Sequence, residues 1–304
     1  MIALIGGTGT VGQHLLRGLL SAGRPCRVLT RDPEAARAML TASDLPPEQA
    51  NLATFVAGGL APGEMDDAAL HGFLAGVERL YLSTAVHPDL PALQLRALEA
   101  ARAAGVRRIV KLSNMGAGRG AAFPTAHWHG IVEEALAQCA DDGMEWVSLR
   151  PHMFMQNLLL QLPRIRESGV LAGPYGQGRI AMIDARDIAA AAQAALMGAG
   201  TRQAHPLTGP QALDFAQVAE HLTQALGRPV RYQPQTPQEA RTAMIAGGRP
   251  DWYTDALLVV FGMWARNEMA QVSPAVEMLT GHPPRSLTQF LADHQPLWEE
   301  KGGL

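Results

Sequence analysis

Apolar positions along this chain follow two alternating rhythms. Short apolar runs fall at 2–5, 26–30, 52–57, 78–83, 107–113 and 145–149. Between them, near 11–22, 33–42, 64–75, 88–104 and 127–142, apolar residues recur at helical spacing. The alternation predicts an α/β fold in which helices connect the strands of a mostly parallel sheet. Arg27-Val28-Leu29 and Ile109-Val110-Lys111-Leu112 lack the in-out alternation of a half-wet strand. Helices are therefore expected on both faces, making the sheet doubly wound.

The rhythm breaks after Pro151. A helical run is expected at 153–166, then turns around Gly169, Gly173, Pro174, Gly176 and Gly178, a helix after Asp184, a strand-like piece at 203–208 and a mainly helical tail from about 214. No internal repeat or linker separates the parts. The expected division is a nucleotide-binding domain over 1–150 and a smaller, mainly helical substrate lobe over 151–304, interleaved between about 150 and 210.

Composition narrows the classes. With 47% hydrophobic residues, 17% charged and a net charge of −3, the chain is globular and lacks the basic surface of a nucleic-acid binder. Cys26 and Cys139 fall in a predicted strand and helix and read as isolated buried thiols. His87, His127, His129 and His152 show no metal-ligand spacing with them, so no metal is expected. The longest apolar run, 256–265, is about half of the roughly 20 residues a membrane span requires. The first strand begins at Ile2, with no leader segment ahead of it, so a cytoplasmic location is expected.

The sharpest motif is Gly6-Gly7-Thr8-Gly9-Thr10-Val11-Gly12, between the first strand and first helix. Gly6 would turn the chain off the strand, Gly9 would clear space for a pyrophosphate, and Gly12 would let helix and sheet pack closely. Free amides at the helix start would face the phosphates. At the end of the second strand, where an NAD-selective site places an acid, the chain has Thr30-Arg31-Asp32-Pro33. Asp32 before Pro33 reads as a helix N-cap, which commits its carboxylate to backbone amides. Arg31 is left for a 2′-phosphate, its alternative being a solvated surface cation. The expected cofactor is NADP(H), ahead of NAD(H).

These segments, with Lys111-Leu112-Ser113, Trp128 to Glu134, Leu149 to Asn157, Asp184 to Ala189 and Leu207-Thr208-Gly209-Pro210, resemble the NmrA-like family of atypical short-chain dehydrogenases. That family includes NADPH:quinone oxidoreductases, triphenylmethane and ergot-alkaloid reductases, and non-catalytic redox sensors. The resemblance implies a Rossmann-type fold, with Gly6, Thr8, Gly9, Thr10, Val11 and Gly12 along the pyrophosphate. It places Arg31 at the adenosine phosphate, Thr84 and Pro151 beside the cofactor, and helices 88–104 and 127–142 at a homodimer contact. Gly58-Gly59 stands where relatives have Gly-Asp, so an acidic contact near adenine is expected to be missing.

Typical short-chain dehydrogenases pair a serine after strand five with Tyr-x-x-x-Lys on the next helix, the lysine lowering the tyrosine pKa. Ser113 fills the serine place, but the helix offers His129-x-x-x-Glu133. One reading has Glu133 charging His129 as a general acid while Ser113 orients a carbonyl or ring oxygen; the other is a structural i,i+4 pair. A third lets solvent supply protons after hydride transfer to an electron-poor ring. Trp128, Met153, Phe154 and Asn157 are candidate contacts for a small apolar or aromatic acceptor, against ordinary core roles. Lys111 and His152 read first as structural groups, and Trp252 and Trp264 as core, interface or lid. Two functions stand: NADPH-dependent hydride transfer to a quinone or similar electron-poor aromatic, and a non-enzymatic NADP(H)-binding sensor acting through a protein partner.

Overall fold

The computed structural model describes residues 1–139 and 143–299. Seven parallel strands form the main sheet in the order β3-β2-β1-β4-β5-β6-β8. They are β1 (Ile2–Ile5), β2 (Cys26–Thr30), β3 (Ala53–Ala57), β4 (Arg79–Leu82), β5 (Arg108–Leu112), β6 (Glu145–Pro151) and β8 (Gln203–Leu207). Chain order reverses at β1 and β4, which pair directly from Ile2 with Arg79 to Ile5 with Leu82. This switch point opens a crevice at the carboxyl edge, where such sheets bind ligands.

Each face is covered. On one, helix α1 (Gly12–Ser21) packs against α8 (Ala185–Met197), burying Leu15, Leu16, Leu19 and Ile188 with Leu4 and Val28. On the other, α4 (Asp67–Leu74), α5 (Leu90–Ala103) and α6 (Pro124–Gln138) bury Leu70, Leu98 and Leu136 against Ala3, Leu80 and Ile109. Both faces being dry explains why the strand sequences are continuously apolar. Beyond Pro151 the chain returns to this body: β8 pairs with β6, and α12 (Ala275–Thr280) packs on α8 and β8. A third core gathers Met155, Ile165, Leu171, Phe215, Leu222, Phe261 and Phe290 under the remaining helices.

Element boundaries differ from expectation where proline or distant pairing decides. The helix expected at 127–142 starts at Pro124, after extended Phe123 (φ −118°), and runs to Gln138; positions 140–142, like 300–304 of the lobe, lie outside the described residues. The helix expected at 153–166 is split. A 3-10 segment at Met155–Gln161 precedes α7 (Leu162–Ser168), which restarts with Pro163 in its first turn because proline cannot donate to the preceding one. A second sheet was not foreseen: β7 (Val170–Gly173) in the turn-rich stretch pairs in parallel with β9 (Arg231–Pro234) in the tail. The short α2 (Pro33–Thr41) begins as expected, and α3 (Pro47–Ala50) follows it. Among the described residues, no helix is long and apolar enough to cross a membrane.

Candidate active site

The glycine loop divides by physical role. Gly6 has φ +84°, and a Cβ there would collide with the Ser83 carbonyl at the end of β4. A Cβ at Gly12 would enter the backbone of Gly6 and Gly7. Both glycines therefore hold the crevice together. Gly9 differs, since its Cβ would meet only the Gly6 oxygen at 3.5 Å, an ordinary contact. Gln13 donates to the Gly9 carbonyl at 2.9 Å in the first turn of α1, so the amides of Thr10, Val11 and Gly12 precede that bond at the start of the helix. An open cradle beside unpaired amides fits a dinucleotide pyrophosphate.

At the end of β2, Asp32 accepts the Ala35 amide at 2.9 Å and Thr30 Oγ1 accepts the Asp32 amide at 3.3 Å. The carboxylate is thus a cap, as its neighbour Pro33 indicated. The Arg31 side chain is 82% exposed and, among the described residues, pairs with the carboxylate of Glu64 at 3.9 Å. An acid from elsewhere in the chain, Glu64, does come beside Gly59. Its carboxylate folds back from the loop after β3, accepts the Ala61 amide at 3.2 Å, and fills the space where a side chain at Gly59 would stand. Five residues separate the acid from that place, and only the loop path brings it back.

The third group lies where β5 and β6 meet α6. Glu133 and His129 share a helix face but do not pair, which overturns the expectation that Glu133 charges His129. Glu133 instead takes Arg150 Nε at 3.1 Å, a second contact from the same guanidinium, and the Ser148 hydroxyl. Burial alone would raise its pKa, but these partners and nearby Ser113 hold the carboxyl below its usual range. Ser113 Oγ completes no hydrogen bond of ordinary geometry. His129 Nδ1 lies 2.6 Å from Lys111 Nζ. Burial first, and the Lys111 charge second, hold its pKa well below that of free histidine. Both effects favour the neutral imidazole over the imidazolium.

The remaining candidates scatter. Thr84 accepts from Gln94 Nε2 at 2.9 Å, which holds it at the crevice after β4. Pro151 is buried at the end of β6, its carbonyl accepting the Met115 amide at 3.1 Å. Trp128 is half-buried, with its ring 5.8 Å from Trp252 of α11 (Asp251–Ala265), and His87 packs edge-on to Trp252 at 6.1 Å. His87 lies three residues beyond Thr84, so this aromatic cluster rims the carboxyl edge. Met153 packs in the third core and Phe154 against the α1–α8 core, both half-buried, whereas Asn157 is exposed. His152 is a staple: Nδ1 accepts the Met153 amide at 2.7 Å and Nε2 meets the Met269 carbonyl at 2.9 Å. Burial pushes its pKa down to about 4. Sequence reasoning left Trp252 open between core and lid, and the structure brings it to Trp128.

Residues 1–279 match the NmrA-like family. The chain is 36% identical to an NAD(P)H azoreductase of Xenophilus azovorans over 97% of its length and 98% of the relative's. It is 35% identical to a (4-alkanoyl-5-oxo-2,5-dihydrofuran-3-yl)methyl phosphate reductase of Streptomyces griseus, over 97% and 98% of the two chains. The solved structure of NADPH-dependent quinone oxidoreductase QOR2 of Escherichia coli, complexed with NADPH, superposes with a TM-score of 0.82 at 28% identity, covering 96% of this chain and 99% of that one.

Proposed function

Because this chain belongs to the NmrA-like family, we propose that it transfers hydride from NADPH to a small electron-poor conjugated acceptor, a quinone being the model case. It is an NAD(P)H-dependent reductase, with NADP(H) as its cofactor. Bound in the crevice, NADPH supplies the hydride. In the proposed site, the amides at Thr10 to Gly12 hold the pyrophosphate and Arg31 reaches the 2′-phosphate. Ser113 and His129 face the acceptor's oxygen, and neutral His129 offers an N–H to it. Trp128, Trp252 and His87 give a flat ring a place to stack, with Met153 and Phe154, packed on two different cores, as further apolar contacts.

The observation that carries the acceptor class is this half-open aromatic rim, whose Trp128 directly precedes His129 on α6, in a chain with no Tyr-x-x-x-Lys on that helix. A secondary alcohol needs its proton abstracted before hydride leaves, and a neutral imidazole contacted by Lys111 is a poor base. An electron-poor ring accepts hydride first and needs a proton only afterwards. Named relatives that reduce azo compounds and quinones fit the same order of events. The test is NADPH consumption with benzoquinones, naphthoquinones, azo dyes and enones beside simple secondary alcohols with NADP. Turnover confined to the first group is expected; activity only with alcohols, or with none despite tight NADPH binding, would overturn the proposal. The latter outcome would favour the sensor reading.

Cofactor choice gives a second expected result. Arg31→Ala should weaken NADPH binding by about 1.5–3 kcal/mol, roughly 10- to 150-fold, and leave NADH binding nearly unchanged. Glu64→Gln should do the reverse for NADPH, because the carboxylate competes with the phosphate for Arg31 and repels it. Calorimetric titration of both cofactors into the three proteins checks this. Equal affinities for NADPH and NADH, insensitive to either substitution, would place the phosphate elsewhere.

A further inference from the structure

Lys111 has no accessible surface, yet it is not paired as a buried lysine usually is. Its Nζ reaches the Leu112 carbonyl at 3.3 Å and His129 Nδ1 at 2.6 Å. Two basic nitrogens at that separation cannot both present protons to each other, so the contact holds one proton between them. His129 keeps a 6% exposed edge. Ser113 leads from the same strand to the crevice. The nearest carboxylate, Glu133, is already engaged by Arg150 and Ser148. The cluster therefore holds a proton with no carboxylate bonded to Lys111, the charge of Glu133 acting on it only through space.

We propose that Lys111 is a positioning residue and proton reservoir: its ammonium, closed on Nδ1, fixes His129 as the Nε2–H tautomer and reprotonates Nδ1 when the Nε2 proton passes to the reduced acceptor. This rests on the reading that His129 faces the acceptor. The step balances. Hydride brings an electron pair to the acceptor and leaves an oxyanion. The Nε2–H bond breaks and an O–H bond forms. Nδ1 takes a proton from Lys111 Nζ, so the imidazole stays neutral with its tautomer reversed and Lys111 becomes an amine. After product leaves, water protonates Nε2 and Nδ1 returns its proton to Lys111 Nζ, which restores the starting state.

The groups that set the charge of Lys111 are few. Burial depresses its pKa to about 7, Glu133 of α6 raises it, and Arg150 of β6 lowers it, while His129 faces it directly. The ammonium is the loaded form, so turnover is complete below this pKa and falls as pH rises through about 7. Lys111→Met and Lys111→Gln separate the two roles, since glutamine keeps an N–H donor for Nδ1 but cannot deliver a proton.

The experiment is nitrogen-15 NMR of the His129 ring in the NADPH-bound protein, with pH profiles of quinone reduction. Wild type is expected to show the Nε2–H tautomer and a falling limb near the Lys111 pKa. Lys111→Gln should keep the tautomer and lose the limb, with turnover about 10²-fold lower at neutral pH. Lys111→Met should lose both. A wild-type ring protonated on Nδ1 would overturn the proposal even if neither variant folds, as would an unchanged limb in Lys111→Gln. If no acceptor is reduced by wild type, the acceptor reading fails, while the tautomer in wild type and Lys111→Met still decides the positioning role.

Discussion

Replacing Gly9 by valine is expected to abolish NADPH binding while leaving the protein folded. The backbone at Gly9 is not in the left-handed region, and an added Cβ meets only the Gly6 oxygen at 3.5 Å. The branched side chain would stand in the cradle where the pyrophosphate must approach the amides of Thr10 to Gly12. Losing two charge-assisted contacts at about 1.5–3 kcal/mol each corresponds to roughly 10²- to 10⁴-fold in affinity. Gly12→Ala is the contrasting variant. Its Cβ would enter the Gly6 and Gly7 backbone, so it should lower the melting temperature before any ligand is added. Calorimetry with NADPH and thermal melting separate the two effects. A folded Gly9→Val protein that still binds NADPH at wild-type strength would move the phosphate site away from this loop.

The second large effect is expected at His129. His129→Ala should lower quinone turnover by about 10²- to 10⁴-fold at neutral pH and leave NADPH affinity unchanged. In the proposed reaction the ring acts through a neutral N–H, because burial and Lys111 both hold its pKa down. The loss should therefore persist at mildly acidic pH, where an imidazolium donor would have gained activity. Removing the ring also leaves Lys111 Nζ without its Nδ1 contact, so a melting curve must accompany the kinetics. Unchanged turnover in a folded variant would mean that solvent delivers the proton.

Local signals in the sequence were legible. Gly6 to Gly12 and the Asp32-Pro33 cap depend on neighbouring residues, and the structure forms them as the spacing indicated. Long-range pairings were not. β7 and β9 are four residues each and lie about sixty positions apart, with Gly173 and Pro234 at their ends, so neither carried a strand pattern. The pairing of His129 with Glu133 followed from helical spacing alone. Their partners come instead from strands, Lys111 for one and Arg150 with Ser148 for the other; burial and Lys111 lower the His129 pKa, while Arg150 and Ser148 hold that of Glu133 down against burial. Lys111 was hidden inside an apolar run, and Glu64 by a loop that folds back on Gly59.

Direct hydride transfer from NADPH bound at the glycine loop to an electron-poor acceptor can be followed in one turnover. A single-turnover reaction with NADPH carrying deuterium at one face of the transferring carbon, mixed with enzyme and a naphthoquinone, tests it most directly. Oxidation faster than the enzyme-free rate is expected, with a primary isotope effect for one deuterated face only and loss of the signal in Gly9→Val. Tight NADPH binding with no oxidation above the enzyme-free rate would contradict it.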